Sequence, residues 1–171
     1  MSSSLLLLVW LLGPVRAAPA PERVLIPFAL KDQFDATHSA ADLAGRIVVM
    51  VGSDREGSPY NRVWSRTLVD SLKGEAGFTD LRFLPVADTR GAPFFLKELI
   101  RRTFRKKVPT WVLLDWTGKL ADAYRFEPEM SNIAVFDRAG ALRHRSHGRE
   151  LESERLSEVL GLLRRLMAAD P

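Results

Sequence analysis

Cysteine is absent from this sequence of 171 residues. That excludes disulfides, thiolate metal sites and thiol nucleophiles from the chain. It does not fix a redox compartment, because a chain without thiols is indifferent to one. Histidine is scarce. His144 and His147 stand three apart on an expected strand, so they point to opposite faces, and His38 is distant in sequence. No metal site and no cofactor is expected. The segment before the first apolar run, Met1-Ser2-Ser3-Ser4, has no lysine or arginine. There is no internal repeat, no low-complexity tract and no nucleic-acid-binding module.

What is present describes one folded domain. Hydrophobic residues make up 46% and charged residues 27% of the chain, the balance of a globular protein of ordinary size. The formal net charge of +4 is a mild basic excess, compatible with weak binding to anionic surfaces without requiring it. Leu5 to Leu12 (LLLLVWLL) is too short to span a bilayer; Gly13-Pro14 breaks it, and Val15-Arg16-Ala17 follows. This is signal-peptide anatomy over residues 1–17, in preference to a buried N-terminal strand or helix. Pro19 and Pro21 mark 18–23 as an extended linker, and 24–171 as the mature domain. The expected location is exported, periplasmic or secreted.

The domain reads as alternating strands and helices. Val24 to Leu30 is extended, Lys31 to Asp35 a turn, and Ser39 to Leu43 a helical turn ended by Gly45. Arg46 to Val51 is a β-branched run of the kind buried on both faces of a sheet. A helix from Tyr60 to Lys73 places Val63, Trp64, Leu68 and Leu72 on its inner face. Leu81 to Val86 is a strand weakened by Pro85. Ala92 to Phe104 is a helix with Phe95, Leu99 and Ile100 inward. Pro109 to Asp115 and Asn132 to Asp137 are further strands, and the latter turns through Arg138-Ala139-Gly140 into a hairpin partner, Ala141 to His147. A final helix spans Glu150 to Ala169, buried through Leu156, Val159, Leu160, Leu163 and Met167. The order predicts an α/β sandwich with a mixed sheet. Trp64 is expected in the core; Trp111 and Trp116 are expected partly exposed.

Several motifs resemble a known group. Phe28 to Asp35 (FALKDQFD), Ser39 to Leu43, Gly45 and the strand Ile47 to Val51 are similar to the opening of redoxins, which include peroxiredoxins and membrane-anchored thiol reductases. Pro109 to Gly118 (PTWVLLDWTG) and Asn132 to Gly140 (NIAVFDRAG) resemble later redoxin segments. From Tyr60 onward the chain looks closest to the YtfJ family of periplasmic thioredoxin-like proteins. The resemblance covers residues 24–167 and implies a thioredoxin-like three-layer sandwich with a mixed central sheet. It also implies a site that is missing. Glu56 and Pro59 stand near the two redox-cysteine positions, and Ser131 stands where redoxins place a cis-proline. Without proline, Met130-Ser131 is expected trans. An alternative register makes Val108-Pro109-Thr110 the cis-proline signature. Neither supplies a cysteine, so no thiol-disulfide exchange or thiol peroxidase activity is expected.

The resemblance directs attention to Asp54, Arg55, Glu56, Ser58, Tyr60 and Asn61 in the loop after the buried strand, with Ser131 and Asn132 at the second half of the redoxin site. One reading is a polar site whose helix amides receive an anion or a peptide carboxylate. The other is a solvated turn in which Ser58 caps the helix. The leading expectation is an exported, redox-inactive binding or accessory module with a protein or peptide partner, monomeric or weakly dimeric, that binds no nucleic acid. The alternatives are an enzyme of a non-thiol class using Asp54, Glu56 or Tyr60, and a basic module acting through Arg101, Arg102, Arg105, Lys106 and Lys107 on anionic partners or membrane surfaces.

Overall fold

The computed structural model describes residues 23–169. The expected signal peptide and residues 18–22 of the linker lie outside the described residues. Strands β1 (Ala29–Lys31) and β2 (Thr37–Ser39) form a two-stranded antiparallel ribbon. The main sheet contains β3 (Ile47–Ser53), β4 (Leu81–Asp88), β5 (Leu113–Asp115), β6 (Ser131–Phe136) and β7 (Leu142–Gly148). Their spatial order is β5-β4-β3-β6-β7. β3, β4 and β5 are parallel, while β6 and β7 run antiparallel to their neighbours. The helices are α1 (Ser58–Leu72), α2 (Lys97–Lys107), α3 (Lys119–Ala123) and α4 (Ser153–Ala168). The mixed sheet with helical layers agrees with the expected sandwich.

Every residue of β3 is buried. Ile47, Val49 and Val51 pack under Trp64, Leu68 and Leu72 of α1 and Val159 and Leu163 of α4. Val48 and Met50 face the opposite layer, made by Phe28, Leu120, Tyr124 and Phe136. The buried α1 residues recur at i, i+4 and i+8, the spacing of one helix face. Val63 falls off that face and is 51% exposed, against expectation.

The second helix departs further. Its regular part starts at Lys97, after a 3₁₀ turn at Phe94–Leu96, and none of its residues is buried. Leu96, Ile100 and Phe104 are half-buried toward the protein, whereas Phe95 and Leu99 point out, at 68% and 60% exposure. The expected inner face was rotated because α2 lies at the periphery rather than across the sheet. Arg105 bonds the Gln33 carbonyl and Asp35, and Arg101 lies 3.5 Å from Asp35. Gln33 itself is fully buried. It donates to the Val108 and Thr110 carbonyls and accepts from the Val112 N–H, fixing the path from α2 into β5.

Two elements were not expected. β2 forms because Asp32 closes the turn before it: one carboxylate oxygen accepts the Phe34 and Ala36 N–H groups and the other lies 2.9 Å from His38 Nε2. α3 forms because the buried Asp115 carboxylate at the end of β5 accepts the Lys119 and Leu120 N–H groups, while Gly118 takes a left-handed φ of 72°. β5 is correspondingly shorter than the expected strand from Pro109.

The hairpin places His147 outward and His144 inward toward α4, opposite faces as expected; His144 is largely covered rather than surface-exposed. Burial holds the His144 imidazole below its ordinary pKa.

Leu68→Ala is expected to cost about 2–5 kcal/mol in urea unfolding, whereas Leu99→Ala stays within about 0.5 kcal/mol. Equal losses would contradict the peripheral placement of α2. Burial of Asp32 alone would raise its pKa, but hydrogen bonds from His38 and the Phe34 and Ala36 amides outweigh it and hold the carboxyl below its ordinary value. A folded-state pKa lower than the unfolded one gives stability that is present above the unfolded pKa and lost as pH falls through the folded one. Thermal unfolding followed from about pH 6 to about pH 2 is therefore expected to show a falling Tm, with a shallower fall in Asp32→Asn.

Candidate functional site

In sheets of this kind, ligand crevices form beyond the carboxyl ends of the parallel strands. Here that edge is made by the β3–α1 loop, the residues after β4, α3 and the loop leading into β6. Asp54 joins two of these segments. Its Oδ1 accepts the Gly57 N–H at 2.8 Å and its Oδ2 accepts the Glu129 N–H at 2.7 Å. Gly57 is the N-cap of α1, and a Cβ placed there would lie 2.3 Å from the Met130 carbonyl oxygen. The two loops therefore touch backbone to backbone, and only glycine fits at the contact. Ser58 does not cap the helix as expected, because the cap is one residue earlier and has no side chain.

Asn132 fastens the same region from below. Its side-chain oxygen accepts the Glu127 N–H, and its amide donates to the carbonyls of Gly52, Glu127 and Met130. Asn61 donates to Ser53 Oγ at 2.8 Å. Ser131 is fully buried, and its hydroxyl has no protein partner. Arg125 and Glu129 take positive φ values of 48° and 60°, uncommon for residues other than glycine. Among the described residues no peptide bond is cis, so Met130-Ser131 and Val108-Pro109 are both trans.

The eight residues singled out in the sequence thus separate into two groups. Arg55, Glu56 and Ser58 are exposed on the loop and the first turn of α1, with Tyr60 half-buried beside them. Asp54, Asn61, Ser131 and Asn132 are half-buried or buried, and the bonds of Asp54, Asn61 and Asn132 hold the edge together. Both Asp54 oxygens are occupied by backbone N–H groups.

Beside this edge lies an open cleft of about 450 Å³ that sequence reasoning missed, lined by Asp54, Asp88, Arg90, Asp122, Arg125 and Phe126 among others. Arg90 crosses it, bonding Asp88 at 2.7 Å and also Asp122. Burial alone would lower the pKa of the Arg90 guanidinium, but these two carboxylates outweigh that and raise it. The Phe126 ring covers Gly52, where any Cβ would collide with it. The cleft residues are scattered in sequence, and one wall is made by Ala121 and Asp122 of α3, which has only five residues and no periodicity to detect, and by the loop that follows it. Gly118 before it was the available signal.

The basic run is divided in the same way. Arg101 and Arg105 pair with Asp35 and dock α2. Arg102 pairs with Glu98, and Lys106 and Lys107 are exposed at the helix end.

No protein-family model matches the chain, and no curated protein matches it significantly. Solved structures do. The pneumococcal exposed lipoprotein thioredoxin Etrx1 from Streptococcus pneumoniae is 21% identical over 80% of this chain and 99% of its own, with a TM-score of 0.57. A protein assigned as a thiol:disulfide interchange protein, DsbE, from Chlorobium tepidum is 15% identical over 87% and 100%, with a TM-score of 0.65. BsSco, a member of the Sco family of cytochrome c oxidase assembly proteins, is 14% identical over 86% and 95%, with a TM-score of 0.62. The fold is thioredoxin-like, carried by a chain with no cysteine.

Gly57→Ala is expected to destabilise the fold by about 1–3 kcal/mol, because the contacted atoms are backbone and cannot swing away. Asp54→Ala, which leaves two amides without their acceptor, is expected to cost about 1–3 kcal/mol. Chemical denaturation measures both, and unchanged midpoints would show that the two loops are not fastened to each other.

Proposed function

We propose that this chain is an exported, redox-inactive thioredoxin-like module that binds a protein or peptide at the carboxyl edge of β3 and β4. The observation that carries this reading is the absence of cysteine from a chain whose edge is still closely built by Asp54, Gly57, Met130 and Asn132. A scaffold kept rigid at that edge without its nucleophile has recognition, not thiol exchange, as its remaining chemistry.

The cleft supports a partner class. Asp54, Asp88, Asp122 and Glu127 face Arg90 and Arg125, four carboxylates against two guanidinium groups, formally −2. That balance favours a basic, extended segment over the free peptide carboxylate that the helix amides alone suggested. The exposed Arg55, Glu56 and Ser58 form the adjoining rim. Export rests on the apolar run and cleavage-like residues at the N-terminus, and an exposed lipoprotein among the structural neighbours is compatible with it. Similarity to the YtfJ family from Tyr60 onward belongs to the same reading.

Three measurements test it. In a thiol-dependent insulin reduction assay the protein is expected to give no turnover above the protein-free blank; turnover would overturn redox inactivity. A photo-crosslinking residue at Glu56 is expected to capture a partner in living cells, with loss of capture in Asp122→Arg, while the same residue at Lys73 on the far end of α1 captures none. Equal capture at both positions would remove the edge as the binding site. For export, the N-terminus of protein from the periplasmic or extracellular fraction is expected to begin at Ala18; an intact Met1 in the cytoplasm would contradict it.

A further inference from the structure

The outer face of α2 is the strongest feature that the fold leaves unused. Phe94 is 83% exposed, Phe95 68% and Leu99 60%, and the two rings pack edge to face on each other at 5.8 Å rather than on the core. Phe95, Leu99, Arg102 and Lys106 follow at i, i+4, i+7 and i+11, which places them on one helical stripe. The stripe is apolar at its beginning and cationic at its end. Across the helix, Lys97, Arg101, Arg102, Arg105, Lys106 and Lys107 stand against Glu98 alone, formally +5. The inner side of α2 is already committed: Arg101 and Arg105 reach Asp35, and Leu96, Ile100 and Phe104 face the protein. Lys97 sits over the Trp116 ring. The face carrying the phenyl rings is the one left open.

We propose that this face docks on an anionic phospholipid bilayer, with Phe94, Phe95 and Leu99 entering the headgroup–acyl boundary and Arg102, Lys106 and Lys107 lying among the phosphates. The inference is independent of the partner-binding edge proposed above. A bilayer offers an apolar layer directly beneath an anionic one, which matches an apolar tip joined to a basic tail on a single stripe. The long basic side chains can keep their charges at headgroup level while the helix backbone tilts inward. An acidic protein surface would satisfy the cations but would leave the phenyl pair in water.

The absence of cysteine makes the test clean, because Leu99→Cys introduces the only thiol in the full-length chain. That variant, labelled with an environment-sensitive fluorophore, is mixed with phosphatidylcholine vesicles with or without about one-third phosphatidylglycerol. Emission is expected to rise and shift to the blue on the anionic vesicles only, with no change for a label at Lys73→Cys. Phe94→Ser/Phe95→Ser is expected to weaken vesicle binding at least about tenfold at unchanged Tm, since both rings are already in water. Raising salt from about 0.05 M to about 0.5 M is expected to weaken it by a similar factor. Each variant carries the same N-terminal apolar run, so the differences report α2. A silent label at 99, equal response to neutral vesicles, or binding indifferent to the phenyl rings would overturn the proposal. Binding to heparin that ignores the double-serine change, with no vesicle response, would assign the face to an acidic macromolecule and overturn it too.

Discussion

β3 has no exposed residue, and the rest of the molecule is arranged around that constraint. A strand buried on both faces needs a neighbour on each edge and a cover on each side, because unpaired backbone groups and bare apolar faces are both costly. β4 and β6 satisfy the edges. α1 and α4 cover one face. The other face is closed less regularly, by Phe28 from the N-terminal segment, by Leu120 of the five-residue α3 and by Tyr124. The Tyr124 hydroxyl accepts the Ile26 N–H and donates to the Val24 carbonyl, so the second cover is tied to the first residues of the domain. This asymmetry puts the cleft on the thinner side.

The candidate edge follows from where β3 and β6 meet. Antiparallel pairing brings the end of β3 against the start of β6, with Gly52 opposite Asn132. The loops that leave those strands must then pass each other closely. Asp54 holds one to the other, Gly57 allows the approach, and Asn132 satisfies carbonyls that the turn leaves without partners. Asp54, Asn61 and Asn132, first singled out as ligand-binding candidates, are therefore fasteners of the edge, and what the edge leaves open to solvent is Arg55, Glu56, Ser58 and the cleft beside them.

What could be read from the sequence depended on how strongly local pattern and tertiary position agreed. The β3 run, the Trp64-Leu68-Leu72 face of α1 and the hairpin turn at Arg138-Ala139-Gly140 were legible, because periodicity and burial point the same way there. α2 was legible as a helix and misread as a core element. Its periodicity offered two adjacent apolar stripes, and long-range bonds from Arg101 and Arg105 to Asp35, roughly seventy residues away, chose between them. α3 and the cleft were invisible for a different reason. Five residues carry no measurable period, and the group that starts the helix, the Asp115 carboxylate, lies in the preceding strand.

The edge also explains why the missing thiol is more than a missing residue. A reactive cysteine in this fold depends on the positive end of the following helix to stabilise its thiolate. Here that end already has an anion against it: the Asp54 carboxylate accepts the N–H of the α1 N-cap residue. A thiolate formed nearby would share the helix end with a fixed negative charge, which disfavours the ionised form. Asp54 cannot leave without freeing the Glu129 amide and loosening the loop before β6. Closure of the edge and activation of a thiol thus make opposing demands on the same few ångströms of structure, and this chain meets the first.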